Sequence, residues 1–286
     1  MSGKSKRQRR QPKKSRQPRR RKDSTPAAQG MEGYLGPGVI AYLDMLGFSS
    51  AVLKRFDRPF LDEVNDVRRA ASEVQIKFVP AKKLPYMTVY PTLHFFSDSI
   101  ALSSMCTQAN DAEQAWWAIC STLLRVPTLI QACAFKGWGT RGCIEAGGFL
   151  RTPLELIGPP FVTACDIEKK PWTNARVLVG PKLLLVLEQF SRTGDALTGG
   201  LVTALVRCED SLIAVRPVLQ GDPFNVAERL TLRLRELREQ APGKDKPKYD
   251  WIIEEAATKG ASEPPSADDL FAGHKALIDK LEAKVT

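Results

Sequence analysis

The stretch VIAYLDMLGFSS, residues 39–50, decides the fold. Its first five residues, Val39 to Leu43, are apolar or aromatic, rich in β-forming types and too few for a helix, so they predict a core strand. Asp44 follows at the inner end of that strand. A carboxylate buried there is costly unless it is paired or bound to a cation. The stretch therefore predicts a strand that ends on a paired or ligand-binding acid.

The residues after Asp44 predict a tight turn and the start of a helix. Gly47 allows a close turn, and Ser49 or Ser50 is expected to cap the helix that follows. Backbone N–H groups at such a turn can face phosphates beside a metal-binding carboxylate. The alternative is that Asp44 caps its own turn and binds nothing, and the stretch alone leaves both interpretations open.

The positive charge of the chain is concentrated at its start. The protein has 286 residues and a formal net charge of +10, and residues 1–22 carry twelve Lys or Arg and no acid. Subtracting those twelve charges leaves −2 for the rest of the chain. We expect a disordered basic arm over residues 1–30, a folded domain over residues 31–222 and a helical C-terminal extension over residues 223–286.

The basic arm has two interpretations. Its cations can bind nucleic acid or another anionic surface weakly, because each phosphate contact releases counterions. It can equally be a solubilising extension without a specific partner, since no aromatic residue is interleaved with its charges to stack on bases.

Cysteine, histidine and apolar content limit the class of protein. The six cysteines form no C-x-x-C pair and lie mostly in apolar runs, which indicates reduced core thiols. Two histidines, His94 and His274, are too few for a multi-histidine metal centre. No apolar run reaches the roughly 18 residues that a membrane helix needs, and no signal-peptide segment follows the basic start. We therefore expect a cytoplasmic protein with no membrane association.

The order of elements predicts an α+β fold with a ferredoxin-like βαββαβ core, one extra strand and helix pair, and helices on one face of the sheet. After the first strand, the periodicity predicts a helix over residues 59–79, a hairpin over 91–105 with Asp98 at its tip, a helix over 111–137 bent at Pro127, and a strand over 139–150. The later elements are a helix at 158–170, a strand at 174–180, a helix at 181–190, a strand at 212–219, and helices from residue 225 onward.

This layout places the end of the first strand beside the central hairpin, so Asp44 and Asp98 are expected to lie close together. Two carboxylates with no histidine nearby suit Mg²⁺ or Mn²⁺. Acids that bridge two such ions hold them about 3.5–4 Å apart, a geometry that stabilises attacking and leaving oxygens in phosphoryl chemistry. The alternative for Asp98 is that it only stabilises the hairpin turn.

Three segments of the chain, within about residues 38–184, resemble class III nucleotidyl cyclases. VIAYLDMLGFSS resembles the strand that carries the first metal-binding aspartate of that family, and HFFSDSIAL resembles its second metal hairpin. RGCIEAGGF, ELIGPPFVTACDIE and ARVLVGPKLL resemble the family segment RxGIxxG…GxxVNxAxRxE…ILVS. The sequence is most similar to the Pycsar antiphage pyrimidine cyclases.

The resemblance implies a two-metal site. Asp44 and Asp98 would hold two Mn²⁺ or Mg²⁺ ions, with the Met45 carbonyl completing one coordination shell. The residues that would bind the triphosphate through their backbone are Leu46, Gly47, Phe48 and Ser49.

The resemblance also implies which residues read the base. The matching positions are His94 and Glu155, and neither is the residue type of the purine-selective members, which favours a pyrimidine. The alternative is that both side chains are structural and that Tyr34 or a residue of the partner chain reads the base.

The chain departs from the family at two positions. The transition-state Asn of the family falls at Val162 and its Arg falls at Asp166, so another cation must act on the triphosphate if the chain is active. Arg141 is the first candidate for that cation and Arg176 the second. The alternative is a homologue without activity, although pyrimidine cyclases also lack this Asn/Arg pair.

The function implied by the resemblance is a cyclase that converts UTP, or less favourably CTP, into the 3′,5′-cyclic monophosphate and pyrophosphate. Family members form head-to-tail homodimers with two active sites, and their product activates a separate effector protein in antiviral defence. Two other functions stay open: a metal-dependent phosphohydrolase or nucleotidyltransferase, and a non-catalytic module that binds nucleic acid.

Overall fold

The computed structural model describes residues 33–73, 91–106, 112–170, 174–192, 201, 203–219, 225–258, 266–273 and 278. All of them belong to the compact unit Gly33–Thr286. The predicted basic arm, residues 1–30, lies outside the described residues, so its disorder stays a prediction.

One mixed sheet forms the centre of the fold. Its strands are β1 (Tyr34–Met45), β2 (Thr92–Phe96), β3 (Ser99–Met105), β4 (Thr140–Arg151), β5 (Leu156–Ile157), β6 (Val177–Val179), β7 (Leu205–Arg207) and β8 (Ile213–Val215). The strand order is β2-β3-β1-β4-β6-β8-β7, and β5 pairs with β4.

Eight α-helices accompany the sheet in the described part of the chain. They are α1 (Phe48–Lys54), α2 (Arg58–Glu73), α3 (Ala112–Phe135), α4 (Pro159–Glu168), α5 (Pro181–Ser191), α6 (Val226–Gln240), α7 (Asp250–Ala257) and α8 (Ala267–Phe271). A 3₁₀ segment, Lys246–Tyr249, precedes α7.

The topology confirms the predicted α+β class. The first four long strands lie in the order β2-β3-β1-β4 with antiparallel pairing throughout, which is the arrangement of a ferredoxin-like βαββαβ unit. The extra strand β6 pairs in parallel with β4, and β8 and β7 extend that edge. Neither β5 nor β7 was predicted, because each is a two- or three-residue strand with no clear alternation of its own.

The two faces of β1 have different roles. Val39, Ala41 and Leu43 are buried in the main hydrophobic core, together with residues of α2 and α3. The alternate positions, including Ile40 and Asp44, lie on the other face. The prediction that the helices lie on one face is therefore incomplete, because α4 packs against β1 and β4 and contacts Asp44 and Arg141 there.

Most of the remaining predicted elements are present. The hairpin of β2 and β3 has Ser97 and Asp98 at its tip, and Pro127 lies inside the continuous helix α3. Helix α2 begins one residue before the predicted start; the predicted residues beyond Glu73 lie outside the described part. The same holds for most of the last predicted helix beyond Phe271.

Helix α3 bears on the expectation that no apolar run is long enough to cross a membrane. This helix is long and apolar enough to cross a membrane, but 67% of its most apolar window is buried within the fold. A mostly buried helix of this kind is also found in the core of proteins that do not enter membranes. The six cysteines, all in the described part of the chain, form no disulfide, and five of them are buried, as predicted.

Candidate active site

Asp44 lies near the end of the central strand β1, where the strands of the sheet meet the cleft, between polar residues of β3 and β4. On one side it pairs with Ser99 of β3, and on the other with Arg141 of β4. The Met45 N–H donates to the carbonyl oxygen of Asp98 at 3.0 Å, which fixes the hairpin tip beside the end of β1. Burial raises the pKa of Asp44, the Arg141 charge opposes that shift, and the Asp98 charge adds to it. The predicted acid pair is therefore assembled.

The turn after Asp44 depends on glycine. Gly47 adopts φ 82°, in the left-handed region, and precedes α1. The Leu46 N–H donates to the Gly139 carbonyl at 2.8 Å, which ties this turn to the start of β4. The prediction that Ser49 or Ser50 caps the helix was wrong: Gly47 is the N-cap, no side chain accepts a hydrogen bond there, and both serines lie inside α1.

A third carboxylate, Glu168 of α4, reaches the acid pair. Glu168 Oε1 is 2.6 Å from Arg141 Nε, and Arg141 Nε is 3.4 Å from Asp44 Oδ2. The pKa of Glu168 is raised to about 7, first by burial and then by the neighbouring Asp44 charge, while the Arg141 charge opposes both. Contact between the two acids also raises the pKa of Glu168 and lowers that of Asp44.

Sequence reasoning missed Glu168. Its only signal was the final acid of the motif GPPFVTACDIE, which matches the last residue of the family segment GxxVNxAxRxE. Periodicity could not reveal it, because α4 brings Glu168 to β4 only through tertiary packing.

A cleft of about 810 Å³ opens at this edge of the sheet. It gathers all the residues predicted to bind metal or triphosphate, together with the first candidate for the missing cation: Asp44, Met45, Leu46, Gly47, Phe48, Ser49, Asp98 and Arg141. The second candidate cation, Arg176, does not line this cleft; it precedes β6 and pairs with Asp210, between β7 and β8, with contacts of 2.5 and 3.2 Å. It is therefore a structural residue.

The oxygen ligands of this site could supply part of the coordination shell of a hard divalent cation. Within the described ranges, no group of three or more His, Cys, Asp or Glu side chains is placed to hold a metal ion. Asp44, Asp98 and the Met45 carbonyl supply oxygen ligands only, which is the chemistry that Mg²⁺ and Mn²⁺ prefer. Mg²⁺ commonly keeps water or substrate phosphates as its other ligands, so two carboxylates are compatible with a site completed by a nucleotide.

His94 lies on the same face as Asp44. It pairs with Ala101, which in turn pairs with Tyr42, two residues before Asp44. The His94 side chain is 7% exposed, and its Nε2 atom is buried without a hydrogen-bond partner. Burial and then the Arg151 charge lower its pKa, so the imidazole is neutral at neutral pH.

Aromatic rings border His94 on this face. The Phe96 ring stacks with His94 at 6.3 Å between centroids, and Phe161 of α4 lies 5.6 Å from both Phe96 and Tyr42. Flat apolar surfaces beside an unpaired ring nitrogen are suited to a planar heterocycle.

The other two predicted base-binding residues have different surroundings. Glu155 is exposed in the turn between β4 and β5, where its backbone N–H donates to Thr152 Oγ1. Arg151 joins this end of β4 to β2 through a 2.9 Å hydrogen bond to Thr92 Oγ1. The Tyr34 hydroxyl already donates to the carbonyl of Cys106. Of the three predicted base-binding residues, His94 alone has a buried polar atom without a hydrogen-bond partner.

The two positions that depart from the family are both on α4. Val162 is 56% exposed and Asp166 is half-buried. Neither supplies a positive charge, so the cations of the site come from other elements.

Comparison with known proteins adds little. No family model matches the chain, and no curated protein matches it. Among solved structures, a bacterial light-regulated adenylyl cyclase is similar at a TM-score of 0.38 and 14% identity, over 73% of this chain and 58% of that chain. This chain therefore matches less than two thirds of that protein. A likeness this weak carries no weight in assigning an activity, which rests on the site itself.

Proposed function

We propose that the chain is a nucleotidyl cyclase that converts a pyrimidine ribonucleoside triphosphate, UTP in preference to CTP, into the 3′,5′-cyclic monophosphate and pyrophosphate. The observation that carries the proposal is the proximity of Asp44 to Asp98, at the hairpin tip that the Met45 N–H binds beside the Gly47 turn, in a cleft large enough for a triphosphate. Arg141 at the same edge provides the positive charge that the sequence lacks at Asp166.

Each residue has a separate role in the proposed reaction. Asp44, Asp98 and the Met45 carbonyl would hold two Mn²⁺ or Mg²⁺ ions. When bound, such ions acidify an attacking hydroxyl and neutralise charge on a leaving pyrophosphate. The backbone from Leu46 to Ser49 lines the same cleft and binds the triphosphate.

Arg141 has two tasks in this scheme. It holds Asp44 in place through the 3.4 Å contact, and its guanidinium stabilises the negative charge that grows on the phosphates as the ribose 3′ oxygen attacks the α-phosphorus. Glu168 orients Arg141 from the opposite side at 2.6 Å. Because Glu168 is almost fully buried, it fixes the guanidinium without exposing a second full negative charge to the triphosphate.

The homodimer also belongs to the proposal. Leu154, Ile157 and Val162 are 71%, 55% and 56% exposed along β5 and α4, next to the face that carries His94. Apolar side chains grouped in this way favour burial against a second copy of the chain. In such a dimer each protomer would cover the substrate bound to the other, and the cyclic product would act on a separate effector in antiviral defence.

The decisive experiment is incubation of the purified protein with Mn²⁺ and each of the four ribonucleoside triphosphates, with products resolved by mass. A cyclic pyrimidine monophosphate together with pyrophosphate supports the proposal. A linear nucleotide with phosphate or pyrophosphate indicates a phosphohydrolase, and transfer to another molecule indicates a nucleotidyltransferase. Either result would overturn cyclisation while leaving the metal site intact.

A further inference from the structure

The C-terminal extension is anchored directly behind the glycine turn. Gly139, whose carbonyl accepts the Leu46 N–H, is covered on its other side by the buried Tyr249 ring. A Cβ atom at Gly139 would lie 2.5 Å from that ring, so the approach is as close as glycine allows. The Lys248 carbonyl also accepts the Ala175 N–H at 2.9 Å. The 3₁₀ segment therefore has a fixed position beside the candidate site.

This anchoring brings cations of the extension into the active-site cleft. Lys248 and Arg233 line the same cavity as Asp44, Asp98 and Arg141. Arg233 is held by the Ala134 carbonyl at 3.2 Å and by Glu236 at 2.7 Å.

Lys248 is held more loosely than Arg233. Its ammonium pairs at 2.5 Å with Asp245, a residue of the same turn, and the two side chains are 34% and 26% exposed. Pairs between partly exposed neighbours contribute little free energy, so a polyanion can take the place of Asp245.

The charge of the site requires a further cation when a triphosphate is bound. Asp44 and Asp98 are both acidic, and Arg141 is already engaged by Asp44 and Glu168. Two ions with two carboxylates leave a bound triphosphate incompletely neutralised. The α4 position that resembles the family cation is occupied by Asp166. A cation from a different element can therefore meet the terminal phosphates. Lys54, Arg55 and Lys136 also line the cleft, and of these Arg55 pairs with Glu63 and Lys136 with Asp66.

We propose that the C-terminal extension is part of the substrate site and that Lys248 binds the terminal phosphates of the nucleotide. The inference rests on the proposed function for the identity of the nucleotide, but the polyphosphate contact can be measured without any turnover. Lys248 is a binding residue in this scheme, and Asp245 holds its ammonium in place when no phosphate is bound.

The test measures the affinity of the full chain for inorganic tripolyphosphate, with Mg²⁺ present, by titration calorimetry. Lys248→Ala should weaken binding about tenfold, as expected for loss of one charge-assisted contact. Asp245→Asn should strengthen binding, because it frees the ammonium and removes a negative charge from the cleft wall. The Asp245 side chain makes no cap hydrogen bond, so this variant should fold normally.

Lys246→Ala is the matched control. Lys246 belongs to the same 3₁₀ segment but pairs with Glu239 and does not line the cleft, so its loss should leave the affinity unchanged. Equal affinity of the wild type, Lys248→Ala and Asp245→Asn, or an equal loss in Lys246→Ala, would overturn the inference. If the affinities change as expected and no nucleotide is cyclised, the polyphosphate site stands and the cyclase proposal fails.

Discussion

Arg141 and Asp44 lie directly opposite each other on neighbouring antiparallel strands, and Arg141 Nε is 3.4 Å from Asp44 Oδ2. The same nitrogen is 2.6 Å from Glu168, so one guanidinium lies against two neighbouring carboxylates at the edge of the cleft. The site is thus acidic and already partly neutralised by the protein. Removing one of the acids should therefore hold or raise the stability of the metal-free protein, whereas removing Arg141 should lower it.

The acids should be required for turnover but not for folding. We expect Asp44→Asn and Asp98→Asn each to lower cyclase turnover at least a hundredfold, because each removes a metal ligand worth several kcal/mol of charge stabilisation. The melting temperature without metal should hold or rise, since burial and the Asp98 charge raise the pKa of Asp44 and make its ionised form unfavourable. Asp62→Asn, an exposed α2 residue paired with Arg58, is the control. Near-normal turnover in either variant would remove the two-metal assignment.

Loss of the cation should destabilise the fold. Arg141→Ala leaves Asp44 and Glu168 as adjacent, partly buried acids without a counter-charge, which should cost about 2 kcal/mol of unfolding free energy. Arg58→Ala removes an exposed pair with Asp62 and should change stability by less than about 0.5 kcal/mol. Denaturant titration at neutral pH measures both. A loss in Arg141→Ala no larger than in the control would show that Arg141 does not neutralise the acids.

The features predicted correctly from the sequence are those that depend on neighbouring residues. The strand that ends at Asp44, the hairpin tip at Asp98 and their proximity follow from alternation, turn residues and the βαββαβ order. The helix cap was wrong for a local reason: Gly47 takes the left-handed conformation itself, which places Ser49 one residue inside the helix.

The features that the sequence could not predict depend on packing between distant segments. Glu168 reaches Arg141 only because α4 crosses the face of β1 and β4. Lys248 reaches the cleft only because Tyr249 packs on Gly139, more than a hundred residues earlier in the chain. No periodic pattern records contacts at such separations, so these residues emerge only from the structure.

Glu145 should give the protein a measurable pH dependence of stability. It is 1% exposed on β4 and accepts the Leu183 N–H at the start of α5 at 2.9 Å. Burial raises its pKa to about 6 from a usual value of 4.5, and hydrogen bonds from backbone N–H groups oppose that shift. The folded state therefore binds the proton more tightly than the unfolded state, and stability falls as pH rises from about 4.5 to about 6.

Glu145→Gln removes this titration and keeps an oxygen that can accept from Leu183. The unfolding free energy of the variant minus that of the wild type should increase by about 1.6 kcal/mol between pH 4.5 and pH 7, because the pKa of Glu145 is about 6 in the folded state and 4.5 in the unfolded state. The comparison cancels other groups that titrate in the same range, including Glu168. A constant difference across this range would show that Glu145 stays ionised in the folded protein.

The basic arm should be dispensable for chemistry. Twelve of the cations of the chain lie in residues 1–22, whereas the described residues that line the cleft all lie beyond Gly33. Deleting residues 1–30 should leave turnover unchanged and abolish salt-sensitive binding to nucleic acid, measured by anisotropy at two salt concentrations. A large loss of turnover would place the arm in the active site, and unchanged nucleic-acid binding would place that activity in the folded part.

The base should be read by His94 more than by any other predicted residue. Its neutral imidazole is buried beside Phe96 and Phe161, and Nε2 has no hydrogen-bond partner. A uracil carbonyl would accept from Nε2 and satisfy it. Glu155, exposed in the β4–β5 turn, can accept from uracil N3–H or from the cytosine amino group, which is why the preference for UTP is modest.

A site built to hydrogen-bond one base edge rejects the wrong base because buried groups are then left unpaired. His94→Ala and Glu155→Ala should therefore reduce the ratio of kcat/KM for UTP to that for the other three nucleotides about tenfold, and more than they reduce turnover of UTP itself. His94→Gln retains a side-chain donor and should recover part of the selectivity. A merely structural His94 would instead lower all four kcat/KM values together with the melting temperature. Unchanged selectivity in both alanine variants would mean that the base is read elsewhere, by Tyr34 or by a residue of the partner protomer.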